Sequence, residues 1–328
     1  MSWHENVRVG VLRGGPSSEY EVSLKTGAAV LAQLPEQYYP VDIFIDREGT
    51  WHFQGKAIEP HEAIGKVDVV WNALHGEYGE DGTVQHLLEA HGIPFTGSGR
   101  LASALSMAKN LAKKIVQRIG VKTAHHRLFR IGEISSLDAL ADELYKTLPQ
   151  PSVIKPEGRG SSIGVSIARA PEEIAIALAH AFTFSDTVIV EEYIEGKEAV
   201  CGVIEGFREA DFCALLPVEI ILPEGKAHHD YETRRNGGGK HRSPGNFTAQ
   251  EKEELQSLAI EIHRLLGLRH YSRSEFIVHP ERGIFYLETD TLPDLSESNS
   301  AYIKSLESVG ATLPQFLEHV TELALQGK

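Results

Sequence analysis

Three carboxylates stand near the ends of two apolar runs in the last quarter of the chain. The runs are Arg273-Ser274-Glu275-Phe276-Ile277-Val278 and Phe285-Tyr286-Leu287-Glu288-Thr289-Asp290. In an extended chain alternate side chains share a face, so Glu288 and Asp290 point the same way. If the runs pair as strands, Glu275 joins them in an oxygen-only cluster that suits Mg²⁺ or Mn²⁺ bridging to phosphates. A solvated edge strand is the alternative.

A glycine- and serine-rich segment follows the apolar run that ends at Lys155. It reads Gly158-Arg159-Gly160-Ser161-Ser162-Ile163-Gly164, and small residues at this density let backbone N–H groups approach phosphate oxygens. A lysine that ends an apolar run needs a charged partner, which a nucleotide phosphate would supply. Lys109 is a second candidate, with a solvated surface lysine as its alternative. The segment is no P-loop, since no Gly-Lys-Ser/Thr closes it, so a surface hairpin stays open.

The apolar run at residues 188–190 continues into a mixed acidic and apolar stretch that begins at Glu191 and ends at Glu198. Backbone groups of such a stretch could hold the edge of an adenine ring, and Glu198 could accept hydrogen bonds from ribose hydroxyls. A strand that ends in solvated acids is the competing interpretation.

The composition limits the classes of protein that could carry these residues. Among 328 residues, 46 Asp and Glu outnumber 32 Lys and Arg, for a formal net charge of −14. This charge argues against nucleic-acid binding, whereas local cations still permit an anionic substrate such as ATP. No apolar run reaches the ~20 residues of a membrane helix, and residues 1–6 carry no Lys or Arg of a signal peptide. We therefore expect a cytoplasmic protein, with Cys201 and Cys213 as free thiols.

The elements predicted for the first hundred residues form a small doubly wound α/β domain. Strands are predicted at residues 7–12, 41–45, 67–74 and 94–96, and helices at about 19–34 and 83–91. The loops after two of these strands, residues 13–18 and 75–77, should lie at the carboxyl edge of the sheet, where such domains bind ligands.

The rest of the chain mixes longer strands and helices. A helix at residues 101–119 is predicted to break near Met107, and others span 137–148, 171–181 and 249–266, the last with Thr248 and Glu251 as a capping box. Strands are predicted at 125–129, 152–155, 187–192, 199–205, 214–221, 274–278 and 284–288. The polar, glycine-rich residues 227–244 are expected to form a mobile loop that closes over a site.

Together and in this order, these segments resemble the D-alanine–D-alanine ligases of the ATP-grasp class. The resemblance covers nearly the whole chain and is most specific in the stretches GGPSSEYEVSL (14–24), LHGEYGEDGT (74–83), FTGSG (95–99) and ASALSMAK (102–109). It implies an α/β chain, α+β in its C-terminal half, with an ATP-grasp fold. Residues 1–100 would form a Rossmann-like parallel-sheet domain, 101–197 a central lid domain and 198–328 a catalytic domain.

The resemblance also implies a reaction and its residues. ATP would activate a D-amino acid as an acyl phosphate and D-alanyl-D-alanine would form for peptidoglycan synthesis, with Glu19, Ser161 and Arg273 catalytic. The matching ATP contacts are Lys109, Lys155, Gly160, Ser161, Ser162, Glu191, Tyr193, Ile194 and Glu198. The matching ligands of two Mg²⁺ or Mn²⁺ ions are Glu275, Glu288 and Asp290. The matching substrate positions are His75, Arg234, Arg235, Asp294 and Ser300.

Several positions depart from the family pattern. Glu275 replaces an aspartate, Asp290 an asparagine, Arg234-Arg235 a Lys-Tyr pair and Asp294 a glycine. A carboxylate at Asp294 would repel an anionic second substrate by about 3 kcal/mol at ~6 Å and an effective dielectric near 20, unless it pairs with Arg235. We therefore expect an altered second-substrate pocket.

Two alternatives to a D-alanyl-D-alanine ligase follow from these departures. One is a related ligase that joins a D-amino acid to D-serine, D-lactate or an amine. The other is a non-catalytic descendant that senses ATP or a D-amino acid, although such a protein would not need Lys155, Arg273 and all three metal carboxylates. The family also suggests a homodimer that forms through the N-terminal domain.

Overall fold

The computed structural model describes residues 7–221, 240–296 and 300–327. Within these ranges the strands form three sheets that follow one another along the chain. Residues 227–239 of the predicted closing loop, with Arg234-Arg235, lie outside the described residues, whereas residues 240–242 of that loop form a strand.

The first sheet has the order β4-β3-β2-β1-β5, with β1 parallel to β2 and β5. Its strands are β1 (Val7–Gly14), β2 (Tyr38–Ile45), β3 (Trp51–Phe53), β4 (Lys56–Ile58) and β5 (Val69–Asn72), and its helices are α1 (Tyr20–Gln33), α2 (Pro60–Ile64) and α3 (Thr83–Ala90). The strand predicted at 94–96 is reduced to one bridge between Val70 and Phe95. Because parallel strands end at one edge, the loops after β1 and β5 meet there.

The second sheet is antiparallel, in the order β6-β9-β7-β8. Its strands are β6 (His126–Arg130), β7 (Ser152–Pro156), β8 (Ser166–Ala168) and β9 (Thr187–Glu192). Helices α6 (Leu137–Thr147) and α7 (Pro171–Ala181) pack on it, and α4 (Arg100–Met107) and α5 (Lys109–Gln117) lead into it. The predicted helix break is confirmed at Ala108, whose ψ of 83° is not helical and turns α5 away from α4.

The third sheet has the order β13-β12-β10-β14-β15, and β11 also pairs with β10. Its strands are β10 (Lys197–Glu205), β11 (Phe212–Ala214), β12 (Val218–Ile221), β13 (Lys240–Arg242), β14 (Tyr271–His279) and β15 (Gly283–Asp290), and the helices are α8 (Ala249–Leu265), α9 (Ala301–Ser308) and α10 (Leu313–Leu325). The single strand predicted at 214–221 is wrong, because the chain divides there around Pro217, which has no N–H for a ladder. The capping box of Thr248 and Glu251 is confirmed.

An aromatic cluster holds the first sheet against the third. Trp71 of β5 stacks on Tyr271 of β14 with ring centroids 6.4 Å apart, and both contact Phe316 of α10 edge-on. Tyr302 of α9 completes the cluster, and all four rings are buried. Close packing of large rings resists sliding, so the cluster fixes the β1 and β5 loops opposite the end of the β14–β15 hairpin.

Candidate active site

The β14–β15 hairpin brings the predicted carboxylates together. Glu275 lies directly opposite Glu288, and Arg273 lies opposite Asp290. A bulge between Glu275 and Phe276 shifts the register below this point, which leaves the four charged residues as two neighbouring cross-strand pairs. Side chains two residues apart on a strand share a face, so the hairpin presents all four to one side.

Each carboxylate of the hairpin is bound by a cation. The Arg273 guanidinium donates from Nη2 to Glu275 Oε1 at 2.7 Å and also to Asp290, and Lys109 at the start of α5 binds Glu288. Within the residues that the structure describes, no three His, Cys, Asp or Glu side chains converge on a common metal position. In this arrangement Arg273 and Lys109 are the cationic partners of the three carboxylates.

The chemistry of this donor set still fits a divalent cation. Three carboxylates face two cationic side chains, so one negative charge is left over. Burial raises the pKa of Asp290, Arg273 opposes this rise, and the neighbouring carboxylates Glu275 and Glu288 raise the pKa further. A hard cation with a preference for oxygen ligands would relieve that repulsion, and the metal-binding roles of the three residues remain predictions.

A second charged group lies on the second sheet, β6-β9-β7-β8, which we call the lid sheet. Lys155 of β7 donates to Glu191 Oε2 of β9 at 2.8 Å, and Lys113 of α5 lies 3.1 Å from Glu191 Oε1. The sequence interpretation overlooked Lys113, although its place one turn after Lys109 would put both lysines on one helix face. Glu191, a predicted ATP contact, has one lysine beside each carboxylate oxygen and also lines the narrow cavity described next, and its role toward a nucleotide stays a prediction.

A narrow cavity of about 130 Å³ lies between the lid sheet and the β14–β15 hairpin. Its apolar walls include Ala124, Val153, Ile167, Ile194, Ile277 and Leu287, and its polar walls include Lys109, Lys155, Ser162, Tyr193, Glu198, Glu275 and Glu288. Apolar faces with a few polar groups at the ends suit a flat heterocycle that carries a charged tail.

A wider cavity of about 730 Å³ opens beside it, between the first and third sheets. Its walls include Glu19, His75, Glu80, Gly160, Ser161, Arg273, Asp290, Asp294 and Ser300. Lys109 and Glu288 belong to the walls of both cavities, so the two spaces meet at this ion pair.

The glycine-rich segment reaches across from the lid sheet to the β1 loop. Ser161 Oγ donates to the carboxylate of Glu19, which is buried at the start of α1, and Arg159 pairs with Glu77. A side chain at Gly160 would begin 2.3 Å from Glu19 Oε1, so any other residue there would have to displace the Glu19 carboxylate. Ser161 and Ser162 have positive φ values of 50° and 57°. Successive backbone N–H groups in such a tight turn can form a concave anion-binding site.

His75 and Asp294 meet in the wider cavity through one hydroxyl. Thr26 Oγ1 lies 2.8 Å from His75 Nε2 and donates to Asp294 Oδ1 at 3.0 Å. Burial lowers the pKa of His75 to about 4, so the imidazole is neutral at pH 7. Asp294 also accepts from the Ser296 N–H, and its carbonyl accepts from Ser300 Oγ. The suggested pairing of Asp294 with Arg235 falls outside the described residues.

Glu80 is a further cavity residue that sequence reasoning passed over. Its carboxylate accepts from the N–H groups of Gly76 and Leu292 at 2.9 and 3.1 Å, and burial raises its pKa to about 8. Glu80 belongs to LHGEYGEDGT, one of the stretches most specific to the family resemblance. Its place in that stretch could have indicated it as a site residue. It joins the β5 loop to the residues that follow β15.

The sheets and the two joined cavities define an ATP-grasp ligase. A family profile described as "D-ala D-ala ligase C-terminus" matches residues 115–322, and one described as "D-ala D-ala ligase N-terminus" matches residues 8–63 and 53–98. The chain belongs to the D-alanine–D-alanine ligase family. The predicted family, fold and enzyme class, an ATP-dependent ligase, are thereby confirmed.

Curated D-alanine–D-alanine ligases match this chain over most of its length. The chain is 35% identical to a D-alanine–D-alanine ligase of Geobacter sulfurreducens over 331 residues, which cover 99% of this chain and 97% of that one. It is 39% identical to a D-alanine–D-alanine ligase of Aquifex aeolicus, and the match covers 89% of this chain and 92% of that one.

Solved structures are similar over the same span. The VanG D-Ala:D-Ser ligase of Enterococcus faecalis superimposes with a TM-score of 0.83 at 28% identity, covering 97% of this chain and 99% of that one. The D-alanine–D-alanine ligase of Bacillus anthracis complexed with ATP superimposes with a TM-score of 0.78 at 28% identity, covering 98% of this chain and 98% of that one.

No described helix is long and apolar enough to cross a membrane.

Proposed function

We propose that the chain uses ATP to join D-alanine to D-alanine as a step toward peptidoglycan. A carboxylate oxygen of the first D-alanine attacks the γ-phosphorus of ATP, and ADP leaves with the bond electrons. The amine nitrogen of the second D-alanine then attacks the acyl carbon, the C–O bond to phosphate breaks, and the amine loses a proton. The products are the dipeptide, ADP and inorganic phosphate.

The meeting of the two cavities at Lys109 and Glu288 carries this proposal. A nucleotide with its base in the narrow cavity would extend its phosphates past Lys155 toward that ion pair. An amino acid in the wider cavity would approach the same point from the other side. Phosphoryl transfer depends mainly on such positioning and on charge neutralisation.

We assign the charges around the transfer point as follows. Lys155 and Lys109 bind phosphate oxygens, and Glu275, Glu288 and Asp290 would hold one or two Mg²⁺ or Mn²⁺ ions, which would withdraw charge from the phosphates. Arg273 faces developing negative charge in both steps.

Substrate positioning falls to the N-terminal side of the cavity. Glu19 offers its carboxylate to the ammonium of the first D-alanine, with neutral His75 beside it. Gly160 and Ser161 cover this corner and keep water from the acyl phosphate, which water would otherwise hydrolyse.

Product analysis tests the function. Incubation with ATP, Mg²⁺ and D-alanine is expected to yield D-alanyl-D-alanine by mass spectrometry, with one ADP per dipeptide. ATP binding without turnover on any amine would support the sensor alternative instead.

Asp294 favours the related-ligase alternative, since its carboxylate lines the wider cavity. If it repels the carboxylate of a second D-alanine, D294N should lower the KM for that substrate by about 100-fold, the equivalent of about 3 kcal/mol. D138N, at an exposed position, is the control. Efficient dipeptide synthesis by the wild type, with an unchanged KM in D294N, would reject altered specificity.

We also propose that the protein is cytoplasmic and forms a homodimer through its N-terminal domain. The proposed domains of each chain are residues 1–100, 101–197 and 198–328. Light scattering at micromolar concentration should give twice the mass of one chain.

A further inference from the structure

Lys113 is a charged side chain in a place where charge is costly. Its side chain is completely buried, and Nζ lies 3.1 Å from Glu191 Oε1 and 3.5 Å from the carbonyl oxygen of Tyr286. It contributes to the wall of neither cavity, so any effect on a molecule bound there would pass through its neighbours. Burying an ammonium group costs desolvation free energy, which only strong hydrogen-bonding or charged partners can offset.

The Glu191 carboxylate is shared between two lysines. One oxygen faces Lys113, and the other accepts a hydrogen bond from Lys155 at 2.8 Å. Burial alone would raise the pKa of Glu191, but the two lysines outweigh it and hold the pKa at about 2. Burial lowers the pKa of Lys113 and Glu191 opposes this fall; with both lysines protonated, the two ammonium ions and one carboxylate carry a net positive charge. Of the two cations only Lys155 is partly exposed, and it lines the narrow cavity.

Lys113 also joins three parts of the fold. It belongs to α5, which starts at Lys109; Glu191 belongs to β9 of the lid sheet; and Tyr286 belongs to β15, two residues before Glu288. A shift of any one of these elements would lengthen a contact of the buried ammonium. The placement of Lys155 relative to Lys109 and Glu288 therefore depends on this side chain.

We infer that Lys113 is a positioning residue for the nucleotide, which neutralises Glu191 so that Lys155 presents its positive charge to the phosphates. The inference rests on the proposed use of ATP. Without Lys113, Glu191 and Lys155 would form a neutral one-to-one pair, and phosphate oxygens would compete with the carboxylate for Lys155. A charge-assisted contact of this kind corresponds to about 10- to 100-fold in affinity.

K113M tests the inference by isothermal titration of the full chain with Mg·ATP in the absence of amino acid. ATP binding is expected to weaken about 10- to 100-fold, and the KM for ATP to rise accordingly, while kcat and the KM for D-alanine change less than about threefold. K114M is the matched control, since Lys114 is the adjacent, exposed lysine of the same helix. K113R, which keeps the charge, should recover most of the affinity.

A double variant separates positioning from a purely structural role. If Lys113 acts through Glu191, adding K113M to E191Q should weaken ATP binding less than about threefold, because no carboxylate remains to capture Lys155. Equal losses in both backgrounds, or unchanged ATP affinity in K113M, would overturn the inference. If K113M does not fold, K113Q replaces it as the uncharged variant. ATP is then expected to bind K113Q about 10- to 100-fold more weakly than the wild type, and K113R should recover most of that affinity. A wild type that binds no ATP would instead refute the proposed function.

Discussion

Replacing Arg273 with methionine is expected to lower kcat about 10²- to 10³-fold, the loss typical when one preorganised donor to a developing oxyanion is removed. The guanidinium is nearly buried, binds Glu275 and Asp290 together, and faces the wider cavity. Its removal leaves two carboxylates without their cation and places negative charge where the phosphoryl group must pass. The KM for ATP is expected to change less than kcat, because Lys155 and Lys109 remain.

Steady-state kinetics and thermal unfolding together test this prediction. R273K keeps a charge but cannot bind two carboxylates in a fixed planar geometry, so it should recover only part of the rate. R127M removes an arginine from an exposed ion pair with Glu143 and should leave kcat unchanged. If folded R273M retained more than a tenth of the wild-type kcat, Arg273 would have no part in the chemistry.

The second large effect is expected for Glu288, the carboxylate common to both cavities. E288Q keeps the shape of the side chain, removes its charge and leaves Lys109 without the anion that now binds it. We expect kcat to fall about 10²-fold and the Mg²⁺ concentration for half-maximal activity to rise at least tenfold, because a carboxylate ligand of a hard cation is lost.

Manganese binding measured by electron paramagnetic resonance, with and without ATP, gives a readout that does not depend on turnover. E288Q should bind fewer or weaker Mn²⁺ ions in the presence of ATP. E281Q, in the exposed turn of the same hairpin, is the control and should bind Mn²⁺ as the wild type does. Wild-type Mn²⁺ affinity in E288Q would show that Glu288 is no metal ligand.

Local patterns predicted most of the fold because each depends on neighbours in sequence. The alternation of Glu288 and Asp290 determines one strand face, and the three-residue spacing of Thr248 and Glu251 determines a helix start. The prediction for 214–221 failed because the apolar pattern outweighed Pro217, whose missing N–H divides the run. The short strands β3, β4 and β8 carry too few residues for a period to emerge.

The site was predictable where one segment supplies the chemistry and unpredictable where distant segments share a group. Lys155 stood out as a lysine at the end of an apolar run, but nothing local indicates that Glu191 binds it together with Lys113. Likewise, nothing local indicates that Asp294 accepts a hydrogen bond from Thr26, nearly the whole chain away. Such contacts arise from the packing of sheets against one another.

We expect a carboxylate in the wider cavity to attack the γ-phosphate of a nucleotide in the narrow one. The most direct test is turnover of D-alanine that carries ¹⁸O in its carboxylate, with mass spectrometry of the phosphate released. An acyl phosphate transfers the bridging oxygen, so fully labelled substrate should give one ¹⁸O atom in each phosphate formed with the dipeptide. Phosphate without ¹⁸O, released together with dipeptide, would show that no acyl phosphate forms on the way to the product.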